Sequence, residues 1–103
     1  MFMDTKQLIT EAKARFNHNS AKAYLKDKYE SKLSVADQGG LWVASPELIS
    51  FLTVSTEDQV VLLDMYSNPV IVNRVDLLTK IKNTYQYVME HWHSEWSALE
   101  KNR

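Results

Sequence analysis

The stretch NRVDLLTKIKNTYQYVMEHWHSEWSALEKNR, residues 73–103, decides the fold. Within it Leu77, Ile81, Tyr85, Met89, Trp92, Trp96 and Leu99 follow one another at steps of three or four, the spacing that keeps side chains near one face of an α-helix. Neither Gly nor Pro interrupts them. Asn73 can accept from the free amides of a first helical turn, and Asp76, three positions on, makes an approximate capping box and suits the positive helix end. Lys101 and Arg103 suit the opposite pole. The spacing predicts one helix over about 74–101. At 1.5 Å per residue such a helix measures about 40 Å, whereas a compact chain of about 100 residues has a radius of gyration of only about 13 Å. A body of that size covers Leu77, Ile81 and their neighbours as ordinary core. It does not easily reach Trp92, Trp96 and Leu99, so the tip calls for a second chain or a folded-back N-terminal helix. Aromatic side chains are enriched at interface centres, which makes Tyr85, Met89, Trp92, Trp96 and Leu99 the candidate partner-binding stripe.

Immediately before the helix, residues 59–65 and 70–72 read as two strands joined by Tyr66, Ser67, Asn68 and Pro69. Pro69 is tolerated because it begins its strand. Val60, Val61, Leu62 and Leu63 are apolar on both alternating faces, the pattern of a strand covered on both sides or central in a sheet. Further upstream, Ser45-Pro46-Glu47 is a helix start: serine caps, proline loses no needed amide at the first position, and glutamate meets the positive end. The short helix that follows carries Leu48, Ile49, Phe51 and Leu52, apolar around much of its girth, and is expected to be well buried.

Residues 33–36 alternate with period two, Asp37-Gln38-Gly39-Gly40 supplies a turn, and residues 41–44 read as the return strand. Gly39 and Gly40 are candidates for positive φ there. No Walker lysine and no Gly-x-Gly-x-x-Gly spacing accompanies them, so phosphate binding does not follow. At the N-terminal end, Asp4 or Thr5 can cap a first helix with the stripe Leu8, Ile9, Ala12 and Phe16. Asn17, His18, Asn19 and Ser20 favour turns and caps and predict a break. A second, mostly solvated helix then runs through Ala21, Tyr24, Leu25 and Lys28. The whole reads as a single α+β domain, residues 1–103, with N-terminal helices, a small antiparallel sheet of two hairpins and a long C-terminal helix.

Composition narrows the function. A chain of 103 residues with 45% hydrophobic content forms one domain able to fold without staples. The absence of cysteine removes disulfides, thiolate metal sites and cysteine nucleophiles together. No apolar run is long enough to cross a bilayer, and residues 1–10 lack the basic start and apolar middle of a secretion signal, so a soluble, cytoplasmic protein is expected. Net charge is −1. Residues 1–34 hold seven Lys or Arg against four Asp or Glu, and residues 35–103 hold five against nine. That asymmetry suits an ordinary solvated helix face, or else a weak polyanion site.

Chemistry is sparse. His91 and Glu95 are four apart and can share a helical face, but His93 points about 200 degrees away from His91. Two ligands fall short of a zinc site, and the His-Glu-x-x-His order is missing. Asp37, Asp58 and Asp64 lie in or beside hairpins without a spacing that forces two together, and there is no Gly-x-Ser-x-Gly elbow. We therefore expect no catalytic residue, no metal, no cofactor and no enzyme activity. Nucleic-acid binding through Lys6, Lys13, Arg15, Lys22, Lys26 and Lys28, with Tyr24 or Tyr29 to stack bases, is the alternative; its aromatic interleaving is thin.

The segments Asp37-Gln38-Gly39-Gly40-Leu41-Trp42 and Asn68-Pro69-Val70-Ile71-Val72-Asn73-Arg74, with the Trp-rich tail, resemble small uncharacterised proteins of large contractile-tailed phages (myoviruses) over about two thirds of the chain. The resemblance implies an accessory or assembly factor in the cytoplasm of an infected bacterium and carries no catalytic residues. The expected function is a non-enzymatic protein-interaction module acting through its aromatic C-terminal helix, with a second copy, as a homodimer, among the partners considered.

Overall fold

A computed structural model describes residues 5–101, including their side chains except those of residues 5–12 and 14–16. The order is α1 (Thr5–Glu30), a 3₁₀ turn (Ser31–Leu33), β1 (Ser34–Asp37), β2 (Gly40–Val43), α2 (Pro46–Val54), β3 (Gln59–Leu63), β4 (Pro69–Asn73) and α3 (Arg74–Lys101). The α+β class and the long C-terminal helix are as expected. Capping by Asp4 and the packing of Leu8, Ile9, Ala12 and Phe16 lie outside the described residues.

Local chemistry sets most boundaries. Asn73 Oδ1 accepts the Asp76 amide at 3.0 Å and starts α3. Ser45 Oγ accepts the Leu48 amide at 3.2 Å, with Pro46 in the first turn of α2. Between β1 and β2 the backbone takes positive φ at Gln38 (52°) and Gly39 (80°), the two-residue hairpin turn whose twist matches the strands. Gly40 has a different reason to be glycine: an added Cβ would lie 2.5 Å from Cζ2 of Trp42. That indole is buried and donates from Nε1 to the Asp37 carbonyl at 2.9 Å.

Three expectations need correction. Asn17, His18, Asn19 and Ser20 do not break the first helix; α1 runs through them as one element. Such residues cost a helix only a fraction of a kcal/mol each compared with proline's ~3 kcal/mol, and from His18 to Tyr29 α1 contacts α3. The hairpins do not merge either: β1–β2 and β3–β4 are separate two-stranded antiparallel sheets. They are stitched by the Met65 amide donating to the Leu41 carbonyl (2.8 Å), by the Leu41 amide donating to Asp64 Oδ2 (3.3 Å), and by Gln38, whose Oε1 accepts the Asn73 amide at 2.6 Å. Finally, α2 is buried along one side only, with Leu52 inside and Phe51 exposed.

The core lies where the first half of α3 meets both hairpins and α2. Val35, Trp42, Ala44, Leu52, Val72, Leu77 and Ile81 are its buried residues. Each large aliphatic side chain removed from water there contributes about 1.5–3 kcal/mol. Arg74 closes the corner: Nη1 donates to the Leu52 carbonyl at the end of α2 (2.9 Å) and Nε to the Glu57 carbonyl (2.8 Å). A second cluster, Leu25, Tyr29 and Val88, joins α1 to the distal half of α3. N-terminal and C-terminal helices therefore pack on each other, and α3 with α2 serves the hairpins. The molecule measures 67 × 24 × 20 Å with a radius of gyration of 20.1 Å, against about 13 Å for a compact chain of this length. Among the described residues no helix is long and apolar enough to cross a membrane.

Candidate functional site

The five stripe residues of α3 fare differently. Tyr85 packs against the main core, and Met89 is half-buried. Trp92 stacks on Tyr29 of α1, ring centroids 6.1 Å apart and planes 12° from parallel, and Leu99 packs on the same second cluster. The tip is thus largely roofed by the chain's own α1. Trp96 is the member left 40% exposed, stacked loosely on His93 with centroids 6.1 Å apart.

Polar contacts fasten α1 to α3. Glu95 Oε1 accepts from Lys28 Nζ at 2.8 Å and from the Tyr29 hydroxyl at 2.6 Å. These two donors hold the Glu95 carboxyl below its ordinary pKa, Lys28 first. Reciprocally, the bond to Glu95 raises both Lys28 and Tyr29. Closer to the tip, His18 Nε2 sits 3.3 Å from Glu100 Oε1, short of hydrogen-bond alignment.

The titratable groups singled out by sequence do not converge. Glu95 is committed to α1, the His91 ring nitrogen Nδ1 meets the Tyr87 carbonyl at 2.8 Å, and His93 lies on Trp96. Asp64 is a turn residue: Oδ1 accepts the amides of Tyr66 and Asn68, while Oδ2 accepts that of Leu41. Its pKa is lowered, chiefly by the Asn68 amide. Among the described residues no three His, Asp or Glu side chains are grouped to hold a metal. A groove of about 340 Å³ between α2 and α3 is lined by Pro46, Ile49, Ser50, Lys82, Tyr85 and Gln86. It offers one ammonium and one phenol beside an apolar wall, without a carboxylate or imidazole to pair with them.

An apolar surface that no described residue covers is the outer face of β3–β4. Register pairs Val60 with Val72 and Leu62 with Val70 on the inner face, and Val61 with Ile71 and Leu63 with Pro69 on the outer one. The inner four belong to the main core. On the outer face Val61, Leu63 and Ile71 are 62%, 66% and 64% exposed, and Met65 and Tyr66 in the adjoining turn are exposed as well. The apolar run 60–63 therefore marks an uncovered face, not a doubly covered strand. Its signal was present in the sequence as apolar residues on both alternating positions; the missing fact was that a two-stranded sheet with helices on one side leaves the other bare.

The cations of α1 are partly spoken for. Lys28 is tied to Glu95, and Lys26 lies 4.0 Å from Glu30. Comparison with protein-family models, curated proteins and solved structures finds no match to this chain.

Proposed function

We propose that this chain is a non-enzymatic protein-interaction module whose principal contact surface is the outer face of β3–β4, with Trp96 on α3 as a smaller second contact. The observation that carries the reading is the trio Val61, Leu63 and Ile71, three large aliphatic side chains side by side on one sheet face and each more than three-fifths exposed. Contiguous apolar surface of this kind on a small chain marks a site where another macromolecule sits. A sheet with one face packed and the other apolar lacks one layer of the arrangement that stabilises such folds. The resemblance to small myovirus proteins would place the module's work in accessory or assembly steps inside an infected bacterium. The nucleic-acid alternative has less support, since Lys28 of its surface is bonded to Glu95 of the protein itself and Lys26 lies 4.0 Å from Glu30.

The test is photo-crosslinking in the cell that makes the protein. Ile71→p-benzoylphenylalanine is expected to form adducts with another polypeptide chain, whereas the same replacement at the solvated Lys80 is not. Equal adduct yields from both positions, or none from either, would count against the proposal.

A further inference from the structure

We infer that the free edge of β3 pairs with the same edge of β3 in a second copy of this chain, antiparallel about a two-fold axis at Val61, joining two hairpins into one four-stranded sheet. The inference goes beyond the contact proposed for the outer face, because it concerns main-chain groups at the side of the sheet and holds whatever covers the face.

The hydrogen bonds at the two ends of the hairpin show which groups are free. The Arg74 amide donates to the Asp58 carbonyl at 2.9 Å, and the Asp64 amide to the Asn68 carbonyl at 3.0 Å. Antiparallel pairs alternate between bonded and unbonded, so Val60 on Val72 and Leu62 on Val70 carry the ladder between those ends. The amides and carbonyls of Gln59, Val61 and Leu63 then point away from β4. Asn73 on the opposite strand has the matching phase: its main-chain groups point away from β3, where both bond Gln38. Among the described residues β4 is the one strand beside β3, and no hydrogen bond reaches the outward groups of Gln59, Val61 and Leu63. All three residues are exposed.

The other strand edges are closed or short. Along β4, Pro69 has no amide to offer and Asn73 is taken by Gln38, which leaves Ile71 alone. On β2, the Leu41 amide bonds Asp64 and its carbonyl accepts the Met65 amide. β1 has four residues and, phased by the Ala44 amide on the Leu33 carbonyl, turns only Ser34 and Ala36 outward. β3 presents three outward residues, and its sequence QVVLL contains neither the charge nor the proline that protects an edge from strand addition.

The symmetry of that edge selects a second copy as its occupant. A two-fold axis at Val61 sets Val61 opposite its own counterpart and Gln59 opposite Leu63 of the second copy, and each of the three pairs exchanges both main-chain bonds. The outward groups of both strands are satisfied together, and Val61 gains a β-branched cross-strand neighbour. The margins of the joined sheet are then the two β4 strands, already closed, so assembly stops at two. Just beyond the paired residues Asp58 comes opposite Asp64 of the second copy, a carboxylate turned back on the amides of Leu41, Tyr66 and Asn68. Like charges at both ends make association strengthen with salt. An edge about 17 Å long buries far less than the ~800 Å² per partner of a standard complex, so the dimer depends on concentration.

Cysteine pairs test the register in a chain that has no cysteine of its own. Bonded antiparallel partners lie about 5.5 Å apart between Cα atoms, inside the range a disulfide spans. Val61→Cys is expected to oxidise to a linked homodimer. Leu63→Cys and Ile71→Cys alone are not, whereas Leu63→Cys mixed with Gln59→Cys should give a pair containing one of each chain. In light scattering the wild-type mass should double with rising concentration and go no further, and Val61→Pro, which removes an outward amide without touching the ladder to β4, should stay monomeric with its helical circular dichroism retained. Should Val61→Pro not fold, hydrogen exchange of the wild type decides: the Val61 and Leu63 amides should slow as concentration rises. A wild type monomeric at every concentration, growth beyond a dimer, self-linking of Leu63→Cys or Ile71→Cys as efficient as that of Val61→Cys, or exchange at Val61 independent of concentration would overturn the inference. A photo-adduct from Ile71 to a different protein reports on the face and the cysteine pairs report on the edge, so either reading can fail alone.

Discussion

Trp92 of α3 lies against Tyr29 of α1 with the ring planes 12° from parallel, and the Tyr29 hydroxyl reaches past it to Glu95 at 2.6 Å. One residue on α1 thus joins an apolar and a polar contact to the same stretch of α3. That pairing makes the molecule long, because it holds α1 alongside the distal half of α3 and away from the sheets.

Trp92→Ala should therefore loosen α1 selectively. Trp92 is half-buried, so the loss is expected near 2 kcal/mol, below the 3–5 kcal/mol of a fully buried aromatic. Urea unfolding followed by far-ultraviolet circular dichroism should show an early loss of helix, with the Trp42 environment unchanged. A single transition shifted as a whole would mean that α1 and the hairpin core unfold as one unit.

The pH dependence of that same junction has two arms. Glu95 has a lowered pKa in the folded chain, so the unfolded state takes up its proton first as pH falls. Its stabilisation is complete above the ordinary carboxylate range and is lost as pH drops below about 4 through the lowered value. Lys28 and Tyr29 are raised, so their contribution is complete below their ordinary values, about 10, and is lost as pH climbs through the raised ones. Hydrogen exchange of α1 amides should accelerate at both extremes. Glu95→Gln should remove the acid arm, and salt should flatten both, since the pair is partly exposed.

How much of this was open to the eye in sequence follows the range of the forces. The start of α3, the cap of α2 and the β1–β2 turn depend on residues three or four apart, and Asn73, Ser45 and Gly39 announce them. The pairing of α1 with α3 depends on Tyr29 meeting Trp92 across more than sixty residues, which no local pattern specifies. Asn17 to Ser20 misled because cap-forming residues cost a helix interior only a fraction of a kcal/mol each, too little to end it. The stripe residues were legible as an apolar face, but not the element covering it.

Gly40 and Gly39 separate two uses of glycine. Gly40→Ala would put a methyl group 2.5 Å from the Trp42 ring and is expected to cost about 1–3 kcal/mol, with a shift in tryptophan emission. Gly39→Ala meets nothing within 4 Å but must hold φ at +80°, a backbone cost of about 1 kcal/mol. Equal losses with equal spectral change would show that the indole tolerates the methyl.

Gln38 imitates a neighbouring strand. Its side-chain amide bonds both main-chain groups of Asn73, the shorter contact at 2.6 Å and the other at 3.4 Å. Gln38→Ala should cost about 1 kcal/mol, the net worth of one well-formed bond at an exposed site. Faster exchange of the Asn73 amide, with that of Val72 preserved, would locate the loss at the edge of β4.

Val61→Thr and Ile71→Thr divide stability from contact. Both side chains project from the outer face, and threonine keeps the branched shape that a strand accommodates. Unfolding free energy should change by no more than about 0.5 kcal/mol for either, as for other exposed positions. The double variant should nevertheless lose the adducts that p-benzoylphenylalanine at Leu63 forms with a different protein, because a hydroxyl on each strand makes the face costlier to dry. The inner-face neighbour supplies the contrast: Val72→Thr, at a buried position beside Leu77 in the core, should cost several times more and leave the outer face as it was. Should the outer pair instead destabilise the fold as much as Val72→Thr, those aliphatic groups would be supporting the hairpin itself, and the surface would lose its claim to be a contact site.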